Sequence, residues 1–200
     1  MYYDAVTNQH GLPFDPFKAI VAPRPIGWIS SLDSTGRINL APYSYFNAFS
    51  NRPNIVGFST QGRKDSIANI EETREFVCNL ATMNLMKEMN STSASLPHGH
   101  DEMAHAGLTA APGVSVKVPR VAESPAALEC VYLQTVDLFD KDGRPANAWL
   151  VLGQVTGVYI DDAIIEDGIV NITKARPVSR LGYQDYAVID EVFQLVRPGS

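Results

Sequence analysis

Short apolar and β-branched runs, each closed by a cluster of turn residues, recur along this chain and read as strands. Gly27–Leu32 ends at Asp33-Ser34-Thr35-Gly36, a turn composition, and Arg37–Ala41 returns from it. Further strands are predicted at Asn54–Ser59, Glu75–Leu80 and Val114–Val118. The longest pair, Ala127–Phe139 and Asn147–Ile160, is joined by Asp140-Lys141-Asp142-Gly143-Arg144. Within it Val131, Leu133 and Thr135, and Leu150 with Leu152, recur at the spacing of two that a half-buried strand shows. Helical periodicity is rarer. Asp65–Thr73 opens with cap-type residues and sets Ile67 and Ile70 on one side. Thr82 is a cap candidate for a second helix carrying Met83, Met86 and Met89, a stripe that reads first as adaptable core packing. A third short helix is expected from Asp101 to Gly107. Strands dominate without a regular βαβα rhythm, so the pattern predicts a mainly β, antiparallel barrel or sandwich with helical insertions. No repeat, low-complexity tract or linker divides the chain, and residues 1–200 read as one domain.

Composition narrows the function. With 45% hydrophobic and 19% charged residues the chain can bury a sizeable core. A net charge of −6 argues against nucleic acid, whose phosphates need a basic face. No apolar run approaches the roughly 20 residues that span a bilayer, and the first residues show no secretory signal pattern. Cys78 and Cys130 lie in apolar, strand-like runs without a CxxC spacing. A disulfide between them is arithmetically allowed, but both read as buried thiols of a reducing, cytoplasmic compartment.

The chemistry-bearing segments are local. The dinucleotide-binding GxGxxG, the P-loop, HExxH and GxSxG are all missing from the sequence. Ser59-Thr60-Gln61-Gly62-Arg63-Lys64-Asp65-Ser66 leaves a strand, passes a glycine and two cations, and enters a helix. Free N–H groups at a helix start, the hydroxyls of Ser59 and Ser66, and the charges of Arg63 and Lys64 would cradle a phosphate. The same residues also describe a solvated loop before an ordinary helix cap. Arg24-Pro25 through Ser30-Ser31, followed by Asn39–Asn47, supplies hydroxyls, amides and aromatic faces able to grip a flat heterocycle, or else to satisfy a barrel corner. Three of the four histidines, His98, His100 and His105, lie together beside Asp101 and Glu102. Their spacing is not that of a zinc motif, and no metal is expected. Near the C-terminus Arg176–Tyr186 offers Arg180 and Tyr183 to an anionic or aromatic molecule, with a surface Arg180–Asp185 pair as the alternative.

Taken in order, these segments resemble the flavin reductase-like family, the FMN-binding split barrels. Arg24-Pro25, Ser30-Ser31, Gly36, Asn39–Asn47, Ser59, Lys64-Asp65-Ser66, Asn69, Phe76–Asn79, Ala106–Thr109 and Pro177–Gly182 carry the resemblance, which extends over nearly the whole chain. It implies a six-stranded antiparallel Greek-key split barrel, a homodimer, and FMN near the subunit interface. Ser30, Ser31, Ala41, Ser44, Tyr45, Phe46 and Asn47 would then line the isoalloxazine and ribityl chain. Ser59, Arg63, Lys64, Asp65 and Ser66 would hold the phosphate, with Asp65 capping the helix or orienting Lys64. Arg180, Tyr183 and His98 would face the substrate side. The implied activity is hydride transfer from NADH or NADPH to flavin and on to a free-flavin or small-molecule acceptor, with no catalytic side chain required. The alternative is a flavodoxin-like electron carrier or FMN-binding module fed by a redox partner protein.

Overall fold

The computed structural model describes residues 1–94 and 99–199. Seven strands, β1 (Gly27–Leu32), β2 (Ile38–Tyr43), β3 (Phe46–Asn51), β4 (Asn54–Gln61), β5 (Glu75–Leu80), β6 (Ala126–Phe139) and β7 (Pro145–Ile160), form one antiparallel sheet. Its order is β2-β1-β5-β6-β7-β4-β3. The two edge strands, β2 and β3, are therefore consecutive in the chain, joined only by Ser44 and Tyr45. A two-residue link cannot span an open seven-stranded sheet, so the sheet must curl until its edges approach. They do not pair. The result is an antiparallel Greek-key barrel split along a seam between β2 and β3.

Alternation of side chains explains both faces of β1. Ile29 points inward and packs with Phe58, Phe76, Tyr132 and Val151. Trp28 points outward but is fully buried, packed with Leu40 of β2 and with Met89, Met103 and Val121 from the connection between β5 and β6. Its indole N–H donates to Thr92 Oγ1 at 2.9 Å. Helix α1 (Asp65–Thr73) sends Ile67 and Ile70 into the inner cluster, as their spacing predicts. Gly153 admits the Phe76 ring so closely that an added Cβ would lie 2.4 Å from it.

Two expectations fail. No strand is predicted over Phe46–Asn51, rich in Asn and Ser, yet these residues form β3, making seven strands rather than the six that the resemblance implies. Val114–Val118 alternates like a strand but is a bent segment. Its donors are taken elsewhere. Val114 and Ser115 N–H bond the Glu129 carboxylate, and Lys117 N–H bonds Glu75 Oε2 at 2.7 Å, so no ladder can use them. Val116 and Val118 still pack on Val77 and Ala127, which explains the apolar alternation.

The methionine run forms a 3₁₀ turn (Met83–Leu85) leading into α2 (Met86–Ser91). Met89 is buried and Met86 packs beside it, while Met83 is exposed and outside the core stripe. Thr82 holds the cap position without a side-chain cap bond. In α3 (Glu102–His105) Asp101 does cap, accepting from Ala104 N–H at 2.9 Å.

Glu129 carries a testable load. It is 3% exposed, and burial alone pushes its acid up. The N–H groups of Val114 and Ser115 and the Ser115 hydroxyl outweigh that and hold it below the usual glutamate range. A depressed folded-state pKa gives stability that is present above the unfolded pKa of about 4.3 and is lost as pH falls through the folded value. Glu129→Ala is expected to cost about 1–3 kcal/mol in urea unfolding at pH 7, and less at acid pH.

Candidate functional site

The seam opens into two recesses that share a wall. One, of about 500 Å³, is lined by Ala41, Ser44, Ser59, Lys64, Asp65 and Ser66, with Lys18, Thr92, Ser93 and Glu102 completing it. The other, also about 500 Å³, shares Ser44, Tyr45 and Ser59 but is walled by Val21, Pro25, Phe46, Phe49 and Leu150. Asn47 lies on this second recess. Ser59 N–H donates to Tyr45 O at 2.7 Å, fixing the two-residue link against β4. A polar pocket and an apolar one thus meet at the junction that the strand order demands.

The polar end is built around Ser66. Its Oγ accepts the Asn39 Nδ2–H at 2.8 Å and the Tyr43 hydroxyl at 2.9 Å. Burial pushes the Tyr43 phenol up to about 12, the bond to Ser66 opposing this, so the phenol keeps its proton and remains the donor. With both acceptor positions of Ser66 occupied, its own O–H proton is directed to something else, and the recess lies beside it. Gly62, at φ +75°, turns the chain off β4, and Lys64 stands at the N-cap of α1 in an extended conformation. Lys64 makes no side-chain cap bond and, among the described residues, no ion pair. The start of α1 adds first-turn N–H groups and the positive end of the helix dipole. Asp65 is the first residue of the helix, one position past the cap expected of it. Glu102 reaches in from α3 and accepts Leu40 N–H at 3.1 Å. Burial, and then the nearby carboxylates of Asp65 and Asp101, press its acid upward against that bond.

The other expected residues lie elsewhere. Ser30 and Ser31 are fully buried behind the cleft wall. Ser30 donates to Pro119 O at 2.7 Å; Ser31 Oγ accepts from Asn39 and Asn69, and so supports the residue that holds Ser66. Arg63 turns away to pair with Glu71 and lies over the Trp149 ring. Arg180 and Tyr183 do not line either recess at the seam. The Arg180 guanidinium sits over Tyr186 rather than pairing with Asp185, and Tyr183 meets Phe14 edge-on. His98 lies outside the described residues, and His100 packs by the Asp33–Arg37 turn. Among the described residues no three His, Cys, Asp or Glu side chains gather as metal ligands. Cys78 and Cys130 are free and buried in the barrel core. Burial, and then its neighbour Cys130, drives the Cys78 thiol well up.

Asn39 and Tyr43 stand in the polar stretch read from sequence without a role of their own, because their partner Ser66 is distant in the chain. Lys18 carries no local signal, and nothing in the histidine segment shows that Glu102 reaches the seam, since long connections bring both there.

Comparison with known proteins gives a consistent result. Residues 21–180 match the model of the Flavin reductase like domain. The Halalkalibacterium halodurans protein BH2278 is 35% identical over 184 residues, covering 89% of this chain and 87% of that one. Among solved structures, nitrilotriacetate monooxygenase component B from Bacillus cereus superposes with a TM-score of 0.89 at 29% identity, covering 98% of each chain. The Pseudomonas fluorescens 2-nitrobenzoate 2-nitroreductase NbaA gives 0.86 at 25% identity, covering 100% of this chain and 97% of that one.

Proposed function

Because this chain belongs to the flavin reductase like domain family, we propose that it is an FMN-dependent oxidoreductase, taking hydride from NADH or NADPH and passing electrons to free flavin or a small-molecule acceptor. The observation that carries the reading is the Ser66 hydroxyl proton, unspent among the described residues, beside a Lys64 that forms no ion pair among them, at a helix start. That donor set is complementary to a terminal phosphate dianion. The apolar recess on the other side of Tyr45 offers Phe46 and neighbouring apolar surface for a flat ring, with Asn47 and Ser44 as polar contacts.

Lys64, Ser66 and Ser59 would hold the phosphate, and Ala41, Ser44, Tyr45, Phe46 and Asn47 the remainder of FMN. Ser31 acts through Asn39, and Asp65 sits beside the cradle. Arg63 would reach the phosphate only by leaving Glu71. When bound, FMN supplies the two-electron chemistry, and the protein supplies binding and placement. No side chain of this chain has to move a proton, and none is assigned that task. Two relatives in fold, named for a monooxygenase component and a nitroreductase, support the redox class.

The outer sheet face leaves Val131 and Leu133 uncovered at 38% and 41% exposure, and Phe49 of the apolar recess is 53% exposed. Exposed apolar side chains on the sheet and at the rim of the apolar recess support a homodimer with the cofactor near the interface. The free, buried thiols support a reducing, cytoplasmic setting. The decisive experiment is the visible spectrum of purified protein titrated with FMN, before and after anaerobic NADH or NADPH. Stoichiometric uptake followed by bleaching is expected. Absence of uptake would overturn the reading; uptake without oxidation of either nucleotide would leave an electron carrier.

A further inference from the structure

Helix α2 separates the seam from a third recess. Thr92 and Ser93, which follow the helix directly, line the polar seam cleft. Met86, Lys87 and Asn90 of the helix line a recess of about 530 Å³ whose other wall is Arg180, Gln184 and Tyr186. Six residues of helix span about 9 Å, so the two openings stand roughly one short helix apart. Arg180 also pairs in register with Arg24, which lines the apolar seam recess, so one strand pair carries a lining residue of each.

The lining of this recess is one-sided in charge. It holds two cations and two carboxamides and no carboxylate, in a chain with 22 acidic and 16 basic residues. Among the described residues neither Lys87 nor Arg180 forms an ion pair. The Arg180 guanidinium is fixed in advance, with its carbon 4.5 Å from the Tyr186 ring centroid and a hydrogen bond donated to Tyr183 O. A guanidinium has five donors, and one bond to a carbonyl leaves most of them unspent. Such a pair of cations flanking amide donors selects an anion with several oxygens.

We infer that Lys87 and Arg180 hold the pyrophosphate of the dinucleotide electron donor, placing its nicotinamide end toward the seam. The inference rests on the functional reading above, and deepens it by giving the donor a second point of attachment. It also relocates Arg180: the residue grips the donor's anionic bridge and does not touch the flavin ring. Two positive charges meet the two negative charges of the bridge, and Asn90 and Gln184 supply neutral donors to the remaining oxygens.

The test uses the FMN-saturated protein. Lys87 is exposed and makes no hydrogen bond or ion pair among the described residues, so Lys87→Glu is expected to fold normally. The variant should raise KM for NADH or NADPH at least tenfold, with kcat within twofold and the FMN dissociation constant unchanged. Inorganic pyrophosphate should compete with the donor in the unaltered protein and lose that competition in the variant. Arg180→Lys, which keeps the charge but not the fork, should give an intermediate KM. Unchanged KM and unchanged pyrophosphate competition in Lys87→Glu, with flavin bound, would overturn this inference alone. Failure of the unaltered protein to bind flavin would overturn the functional reading instead, and flavin uptake without oxidation of either nucleotide would overturn the inference with the donor assignment.

Discussion

Lys64→Ala is expected to weaken FMN binding about tenfold, and Lys64→Ala with Ser66→Ala about a hundredfold or more. Hydrogen bonds to charged groups contribute about 1.5–3 kcal/mol each, and every 1.4 kcal/mol is a factor of ten. Among the described residues Lys64 has no ion pair to lose, so its removal reports on the ligand rather than on the fold. Ser66 is different. It is 1% exposed and accepts from Asn39 and Tyr43, so alanine there also strands two buried donors. Fluorescence titration of FMN, read beside the melting temperature of each variant, separates the two effects. Unchanged affinity in folded Lys64→Ala would place the phosphate elsewhere.

Phe58→Ala is expected to lower stability by about 3–5 kcal/mol, the range for emptying a fully buried aromatic site. Phe58 lies between Tyr43 at 4.6 Å and Phe76 at 6.0 Å, centroid to centroid, in the middle of the barrel. The same change should loosen FMN binding in whatever fraction remains folded, because Tyr43 would lose the ring that holds its phenol toward Ser66. Urea unfolding measures the first effect and flavin titration below the transition the second. A variant losing under 1 kcal/mol would show that the core refills the space.

The strand end, turn and helix start proposed as the phosphate cradle are legible in the sequence because they are local. Strand end, glycine turn, Lys64 and the first turn of α1 follow one another within a few residues, so type and spacing carry the geometry. The larger departures are non-local. Ser30 reads as available because nothing in β1 announces that its outer face is roofed by Met89, Met103 and Val121, and Ser31, on the inner face, because its partners Asn39 and Asn69 are distant in the chain. Arg63 looked like a phosphate ligand, but Glu71, two helical turns along, reaches it first. Val114–Val118 showed a strand's alternation while its backbone donors belonged to Glu129 and Glu75. The seam itself follows from strand order, which no single segment records.

That missing ladder gives the barrel a soft direction. A closed hoop can widen only by breaking backbone bonds, but this one can widen by parting Ile38–Tyr43 from Phe46–Asn51, where no bonds are shared. Breathing of this kind concentrates at Ser44 and Tyr45, so amide protons there should exchange well before those of the doubly flanked Ala127–Val131 stretch. The girth of the molecule is thus adjustable at the seam, where the proposed flavin would enter.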